Sequence, residues 1–182
     1  MDRRFFLAGF TSLAFLNTEA LAAKRKRQLY EGAAWVDFDT PERPGTIIVN
    51  SDERALYHVR DDGEAIRYGV AVGKESFVWS GVAKVGRKAE YPSWTPPKSM
   101  IRRKPHLAKW ANGMPGGIPE NPLGTRAIYL YARGRDTLFR IHGTNEPGSI
   151  GTAASSGCIR MLNEEIEDLY DAVSIGTKVI VL

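Results

Sequence analysis

The chain has 182 residues, of which 43% are hydrophobic and 25% charged, and its net charge at pH 7 is +4. This composition suits one globular domain with a short appendage, and it excludes a disordered chain or one embedded in a membrane. The small positive charge fits attraction to an anionic surface or polymer. The three histidines and the single cysteine have no spacing typical of a zinc site, so we expect no metal.

Residues 1–23 have the pattern of a signal peptide. Arg3 and Arg4 provide a positive start, an apolar run follows, and small residues over 20–23 provide a cleavage site. The paired arginines also fit a twin-arginine signal that lacks its usual flanking residues, so Sec and twin-arginine export both stay open. Because the apolar run is short for a bilayer, we expect no stable transmembrane span and a periplasmic or cell-envelope location after cleavage.

Residues 24–45 are interpreted as a basic, irregular N-terminal segment. Four cations stand together at Lys24–Arg27, which favours a solvated terminus over a binding patch. Aspartates, prolines and a glycine interrupt the rest of the segment. The folded domain is therefore expected over residues 46–182.

The pattern of apolar residues from residue 46 onward predicts a mostly β domain with one late helix. Strands are predicted over 46–50, 54–60, 66–72, 81–85, 127–131, 137–141 and 177–182. An amphipathic helix is predicted over Glu164–Val173, with Asn163 as its N-cap. Between these elements, Pro92–Pro122 holds seven of the ten prolines. It predicts a long loop with a short helix near 99–103, and we expect this loop to cover the functional site as a lid.

Cys158 is the only cysteine, and it follows Gly157 in the run Ser155–Arg160. A lone thiol in an exported chain is a nucleophile, an intermolecular linker or a buried core residue. His142 stands upstream and is able to take the thiol proton. Gly157 allows the amides of Gly157 and Cys158 to point at a developing oxyanion. Together these residues favour nucleophilic catalysis, although each also has a purely structural interpretation.

The segments Ile141–Thr144 and Ser155–Met161 together resemble the signature of the L,D-transpeptidase catalytic domain, the YkuD-like family. Residues 91–97 and 121–127 are also similar to segments of that family, and the resemblance spans about 46–182. Many members have a second histidine where this chain has Ser156. That difference leaves His142 as the candidate base.

The resemblance implies a β-sandwich-like catalytic fold in the cell envelope and a peptidoglycan stem peptide as substrate. The thiolate would attack the bond between the third stem residue, often diaminopimelate, and a terminal D-alanine. An amine of a second stem or of an envelope protein would then resolve the acyl-enzyme. The resemblance implies no metal and no organic cofactor. We also expect a monomer with no nucleic-acid partner.

The resemblance also assigns roles to particular residues. Cys158 would be the nucleophile, His142 the base, and the carbonyl of Gly143 would orient the imidazole. Arg160 would either hold a substrate carboxylate or brace the loop. The expected oxyanion-binding or substrate-binding residues are Ser156, Gly157, Arg160, Thr144 and Trp94.

Other functions are open alternatives. The same site using water would be an L,D-carboxypeptidase, and a domain that had lost catalysis would be a wall-binding module. Sortase-like enzymes place their histidine and cysteine much further apart, and papain-like amidases place the cysteine first. The order and close spacing of His142 and Cys158 therefore disfavour both of these classes.

Overall fold

A computed structural model describes residues 32–74, 79–155 and 157–182. The predicted signal peptide, the basic stretch Lys24–Arg27 and Ser156 lie outside these residues. The strands are β1 (Ala34–Asp37), β2 (Ile47–Asn50), β3 (Ala55–Val59), β4 (Glu64–Gly69), β5 (Val72–Gly73), β6 (Gly81–Glu90), β7 (Arg126–Ala132), β8 (Arg135–His142), β9 (Ala153–Ser155), β10 (Ile159–Arg160) and β11 (Lys178–Val181). The α-helices are α1 (Lys98–Arg103) and α2 (Asn163–Ala172), and Pro105–Trp110 and Pro147–Ser149 form 3-10 helices.

Within the described residues, nine strands form one sheet in the order β1-β4-β3-β2-β11-β6-β7-β8-β10. Neighbouring strands are antiparallel except for two parallel pairs, β2 with β11 and β8 with β10. Strands β5 and β9 form a separate parallel pair. The parallel β8–β10 pair matters most here, because it joins the two motifs singled out in the sequence.

The sheet curls around one hydrophobic core. Leu56 and Tyr68, near one end of the sheet, belong to the same buried cluster as Ile141 and Ile159 near the other end. The curl is held where Ala71 and Arg160 exchange two backbone hydrogen bonds of 2.9 and 2.8 Å. The predicted mostly β, β-sandwich-like fold is confirmed.

Helix α2 packs its apolar face on this core, with Ile166 and Leu169 fully buried. The predicted amphipathic helix is confirmed, but the predicted N-cap is wrong. Leu162 occupies the N-cap position, and no side chain caps the helix. The side chain of Asn163 instead binds backbone amides from two loops.

The interpretation of residues 24–45 as irregular is wrong for Ala34–Asp37. This segment pairs with β4 as strand β1, from Ala34 opposite Arg67 to Asp37 opposite Glu64. Just after it, the Phe38 ring stacks on Tyr57 with their centroids 4.4 Å apart. These partners are distant in sequence, so the local prolines and aspartates gave no sign of them.

The loop 92–122 contains the predicted short helix, which is α1, and also the 3-10 helix Pro105–Trp110, which was not predicted. Its base is fastened by Asn121, whose Nδ2 donates to the carbonyl oxygens of Pro92 and Pro115 at 2.9 Å each. Trp94 and Met114 exchange backbone hydrogen bonds of 2.9 and 2.7 Å. The role of this loop as a lid stays a prediction.

No helix in the described part of the chain is long and apolar enough to cross a membrane.

Candidate active site

The pairing of β8 with β10 brings the candidate base and nucleophile together. Ile159 is in register with Ile141, and Arg160 with His142. Cys158 precedes β10 by one residue, where the ladder ends, and its sulfur accepts a hydrogen bond from the backbone N–H of Arg140. The fifteen residues between His142 and Cys158 therefore return the thiol to the strand that carries His142.

His142 is buried, and its Nδ1 lies 2.6 Å from the carbonyl oxygen of Gly143. A carbonyl oxygen only accepts hydrogen bonds, so Nδ1 carries the imidazole proton. This assignment leaves the lone pair on Nε2, the atom that a general base uses. The contact is the one that the sequence analysis expected of the Gly143 carbonyl.

The resting imidazole and thiol are both neutral. Burial lowers the pKa of His142 to about 4, with the Gly143 carbonyl acting in the opposite direction and Arg160 and Arg140 adding to the decrease. Burial raises the pKa of the Cys158 thiol above its ordinary value, against the Arg140 N–H and the charges of Arg140 and Arg160. Formation of a thiolate at Cys158 would therefore need a base such as His142 to take the proton.

A serine holds the loop that carries the nucleophile. Ser155 Oγ accepts from the Gly157 N–H at 3.0 Å and donates to the Cys158 carbonyl at 2.5 Å. Gly157 has φ = 125°, a conformation that side chains disfavour. The Gly157 amide, expected at the oxyanion, is bonded to Ser155 in this structure. Ser155 was absent from the predicted site set, although it opens the Ser-x-Gly-Cys motif.

Arg160 braces the loop that follows β8. Its Nη1 lies 2.7 Å from Glu146 Oε2, and its own side chain is only 17% exposed. Its backbone also pairs with Ala71. Of the two roles expected for Arg160, the described contacts match bracing.

Two other predicted site residues take part in backbone structure. Thr144 is buried, and its hydroxyl accepts from the Glu146 N–H at 3.0 Å, which closes the turn after His142 and Gly143. Trp94 is half-buried within the loop 92–122 and pairs with Met114. Neither contact involves the thiol, so substrate binding by Thr144 and Trp94 stays a prediction.

Asn163 fixes the peptide group that orients the base. Its Oδ1 accepts from the backbone N–H groups of Thr144 at 3.0 Å and Thr125 at 3.3 Å. The Thr144 N–H belongs to the same planar peptide as the Gly143 carbonyl, so holding one sets the direction of the other. A Cβ atom at Gly143 or Gly124 would lie 2.2 or 2.1 Å from this oxygen, so both positions need glycine. Sequence reasoning missed this role because it depends on two loops that meet at the first residue of α2.

A cavity of about 500 Å³ lies beyond the end of β8, on the side where α2 begins. Thr144, Asn145, Asn163 and Glu164 are among its lining residues, whereas His142 and Cys158 are not. His142 is in register with Ala127 of β7, and the residues next to Ala127 face α2 and the core. Because neighbouring residues of a strand face opposite sides, Ala127 and His142 project from the other face of the sheet. The cavity is therefore adjacent to the catalytic strand but separate from the thiol.

The described residues include no group of three or more histidine, cysteine, aspartate or glutamate side chains placed to hold a metal ion. What they do provide is a neutral imidazole, with the lone pair on Nε2, on the strand that pairs beside a half-buried thiol. A base and a thiol placed in this way are chemically able to carry out acyl transfer through a cysteine nucleophile.

Comparison with known proteins gives the family. The model of the L,D-transpeptidase catalytic domain (YkuD) matches residues 44–181, and the chain belongs to this family. A curated relative in Escherichia coli K12, named "Probable L,D-transpeptidase ErfK/SrfK", is 37% identical over 139 residues. The match covers 73% of this chain but only 42% of that relative, so the chain spans less than half of its length.

Solved structures agree on the fold. A protein of Brucella melitensis, titled a "Probable carnitine operon oxidoreductase", is 49% identical with a TM-score of 0.56, covering 82% of this chain and 92% of that one. The redox activity in that title describes that protein and is not transferred here. The catalytic domain of the Enterococcus faecium L,D-transpeptidase has a TM-score of 0.55 at 19% identity, covering 79% of this chain and 100% of that one. This second likeness supports the fold alone.

Proposed function

We propose that this chain is a cysteine-dependent L,D-transpeptidase that acts on peptidoglycan tetrapeptide stems through an acyl-enzyme at Cys158. The observation that carries the proposal is the 2.6 Å contact between His142 Nδ1 and the Gly143 carbonyl. With the proton on Nδ1, the Nε2 atom keeps its lone pair, and it lies on the face of the sheet beside the thiol. The substrate class in the proposal comes from the family to which the chain belongs.

The first half-reaction releases D-alanine. His142 Nε2 takes the thiol proton as Sγ attacks the carbonyl carbon of the third stem residue, which forms an S–C bond and an oxyanion. The intermediate collapses, the C–N bond breaks, and the imidazolium returns its proton to the departing amine of D-alanine. We assign the backbone N–H of Cys158 as the main hydrogen-bond donor to the oxyanion, because the Gly157 N–H already donates to Ser155 Oγ.

The second half-reaction transfers the acyl group to an amine. His142 takes a proton from the incoming amine as its nitrogen attacks the thioester, the S–C bond breaks, and the proton restores the thiol. The amine belongs to a second stem or to an envelope protein. With water in its place, the same steps give an L,D-carboxypeptidase.

The test is incubation of the folded domain with purified sacculi, followed by mass spectrometry of the muropeptides, with Cys158→Ala as the control. New cross-links that require Cys158 support the proposal. Trimmed tripeptides without cross-links would show a carboxypeptidase instead. Unchanged muropeptides from folded protein would indicate a non-catalytic wall-binding module, and a carbapenem should then also fail to add its mass to the Cys158 peptide.

We also propose that the chain works in the cell envelope after removal of a leader. The paired arginines, the apolar run and the small residues of 20–23 support this location. N-terminal sequencing of protein recovered from the envelope should give a start near Ala22, Ala23 or Lys24. Retention of Met1 on that protein would make the leader an anchor.

A further inference from the structure

A cluster of arginines lies on the same face of the sheet as His142. Arg87 of β6 is in register with Tyr129 of β7, and Tyr129 with Arg140 of β8. His142 is two residues beyond Arg140, in register with Ala127. Because alternate residues of a strand share a face, all of these side chains project on the side of the sheet opposite α2.

Both guanidinium groups contact one aromatic ring. The Cζ atoms of Arg87 and Arg140 lie 3.6 and 4.4 Å from the centroid of the Tyr129 ring, and Tyr129 is only 8% exposed. Contact with an aromatic ring holds a planar guanidinium in one orientation. The ring thus holds one cation from each neighbouring strand on the face of the sheet that carries His142.

The two arginines differ in how their charge is balanced. Arg140 makes a two-pronged pair with Asp136, at 2.7 and 2.8 Å, and also donates to the Phe139 carbonyl at 2.9 Å. Arg87 is exposed, and it belongs to none of the ion pairs that the described residues form. The Asp136 carboxylate therefore neutralises Arg140, and the excess positive charge is on Arg87.

Asp136 is under the influence of both arginines. Burial raises the pKa of its carboxyl, but the Leu138 N–H, Arg140 and Arg87 together hold that pKa below its ordinary value. Asp136 therefore remains ionised and bound to Arg140. Arg87 is exposed, and the Tyr129 ring holds its guanidinium near the Arg140–Asp136 pair. Such a guanidinium is oriented to bind a second carboxylate through two parallel hydrogen bonds.

The position of the cluster selects which carboxylate this is. Ile159 is in register with Ile141, so Cys158 is level with Arg140, and Arg87 stands three strand spacings away along the same row. Three spacings are roughly 14 Å between backbones, a distance that an arginine side chain and a long acyl-donor side chain can span together. A carboxylate on the leaving D-alanine is too close to the scissile bond to match this distance. A carboxylate at the far end of the side chain of the acyl-donor residue does match it.

We propose that Arg87, held on Tyr129 beside the Arg140–Asp136 pair, binds a carboxylate at the end of the acyl-donor residue's side chain. Diaminopimelate carries a carboxylate at the end of its side chain. Diaminopimelate in which that carboxylate is amidated does not, and neither does lysine. This inference rests on the proposed function. It makes Arg87 a residue that determines which stem peptide the enzyme accepts.

The experiment compares two tetrapeptide donors that differ only in having a carboxylate or a carboxamide at the end of that side chain. The parent enzyme should prefer the carboxylate in kcat/KM by about 10- to 100-fold, as a charge-assisted hydrogen-bonded pair gives. Arg87→Gln should reduce this preference to near one by lowering only the carboxylate rate. Arg87→Lys, which keeps the charge without the planar fork, should retain part of it.

Arg43→Gln, which removes one exposed positive charge ahead of β2, is the control and should leave the preference unchanged. Equal rates of the parent enzyme on both donors would overturn the inference while leaving the proposed function intact. So would an equal loss on both donors in Arg87→Gln, which would show that Arg87 merely packs on Tyr129. Failure of the parent enzyme on both donors, in protein that a carbapenem does not acylate, would instead remove the proposed function.

Discussion

The Nδ1 atom of His142 donates to the carbonyl of the next residue. The imidazole is buried, and the Cys158 thiol is half-buried. Burial favours the uncharged form of each group, so the pair rests as thiol and imidazole instead of thiolate and imidazolium. The Arg140 N–H and the charges of Arg140 and Arg160 act in the opposite direction on the thiol pKa, but burial outweighs them.

The neutral pair makes a prediction about pH. Iodoacetamide should alkylate Cys158 slowly at pH 7, and the rate should rise with pH beyond the range of an ordinary thiol, because burial raises the thiol pKa. The acid limb of kcat/KM should lie near pH 4, since His142 stays a neutral base above its pKa of about 4. An alkylation rate that is already maximal at pH 6 would show a preformed thiolate–imidazolium pair.

His142 itself should be needed at every pH of that profile. His142→Ala removes the atom that takes the thiol proton, so kcat/KM should fall by about 10²–10⁴, as is typical of losing a general base. Steady-state kinetics on a tetrapeptide donor would measure this loss, and circular dichroism would check folding. Activity within a few-fold of the parent enzyme would assign the base to another group.

Asn163 gives a prediction that separates positioning from binding. Asn163→Ala leaves the N–H groups of Thr125 and Thr144 without their acceptor and frees the Gly143 carbonyl to turn, so kcat should fall about tenfold while KM changes little. The free energy of unfolding should also fall by about 1–3 kcal/mol. Asn145→Ala, which removes an exposed side-chain bond to the Glu120 carbonyl, is the matched control. A change in KM alone would place Asn163 in substrate binding.

At the scale of secondary-structure elements, the strands with alternating apolar residues could be predicted, and so could the amphipathic helix α2. Strand β1 could not, because its pairing with β4 and the stacking of Phe38 on Tyr57 join residues that are distant in sequence, and aspartates and prolines follow it directly. For the site, the motifs pointed to His142, Gly143 and Cys158. They did not show the Ser155 bridge or the Asn163 contacts, because these depend on how loops meet after the sheet has formed.

The loop 92–122 makes a prediction at the same scale. Replacing residues 98–111 with a short glycine linker removes α1 and the 3-10 helix but leaves the Trp94–Met114 pairing and the Asn121 contacts at the base. The variant should fold. If the loop excludes water from the acyl-enzyme, the ratio of cross-linked to trimmed muropeptides should fall. An unchanged ratio in a stable variant would show that the loop has no such role.

At the scale of the whole molecule, two histidines are buried on opposite faces of the curled sheet. His58 of β3 is 1% exposed, and its Nδ1 is buried without a hydrogen-bond partner among the described residues. Burial, and secondarily the charge of Arg60, lower the pKa of His58 to about 4. His142 has the same low pKa through burial. Between about pH 6.5 and pH 4, an unfolded histidine is protonated, whereas both of these side chains stay neutral in the folded protein.

These two residues should make the fold sensitive to acid. The unfolded chain binds protons on histidine near pH 6.5, and the folded chain only near pH 4, so stability is complete above about pH 7 and falls as the pH drops from 6.5 to 4. At pH 5 each histidine should lower the free energy of unfolding by about 2 kcal/mol relative to pH 7.

His58→Leu removes one of the two histidines and also an unpaired buried nitrogen. Urea unfolding of this variant should therefore show a decrease in the free energy of unfolding between pH 7 and pH 5 that is smaller by about 2 kcal/mol. His106→Gln, at an exposed position, is the control and should leave the loss unchanged. If the free energy of unfolding depended on pH in the same way in the parent and in His58→Leu, His58 would be taking up its proton in the folded protein.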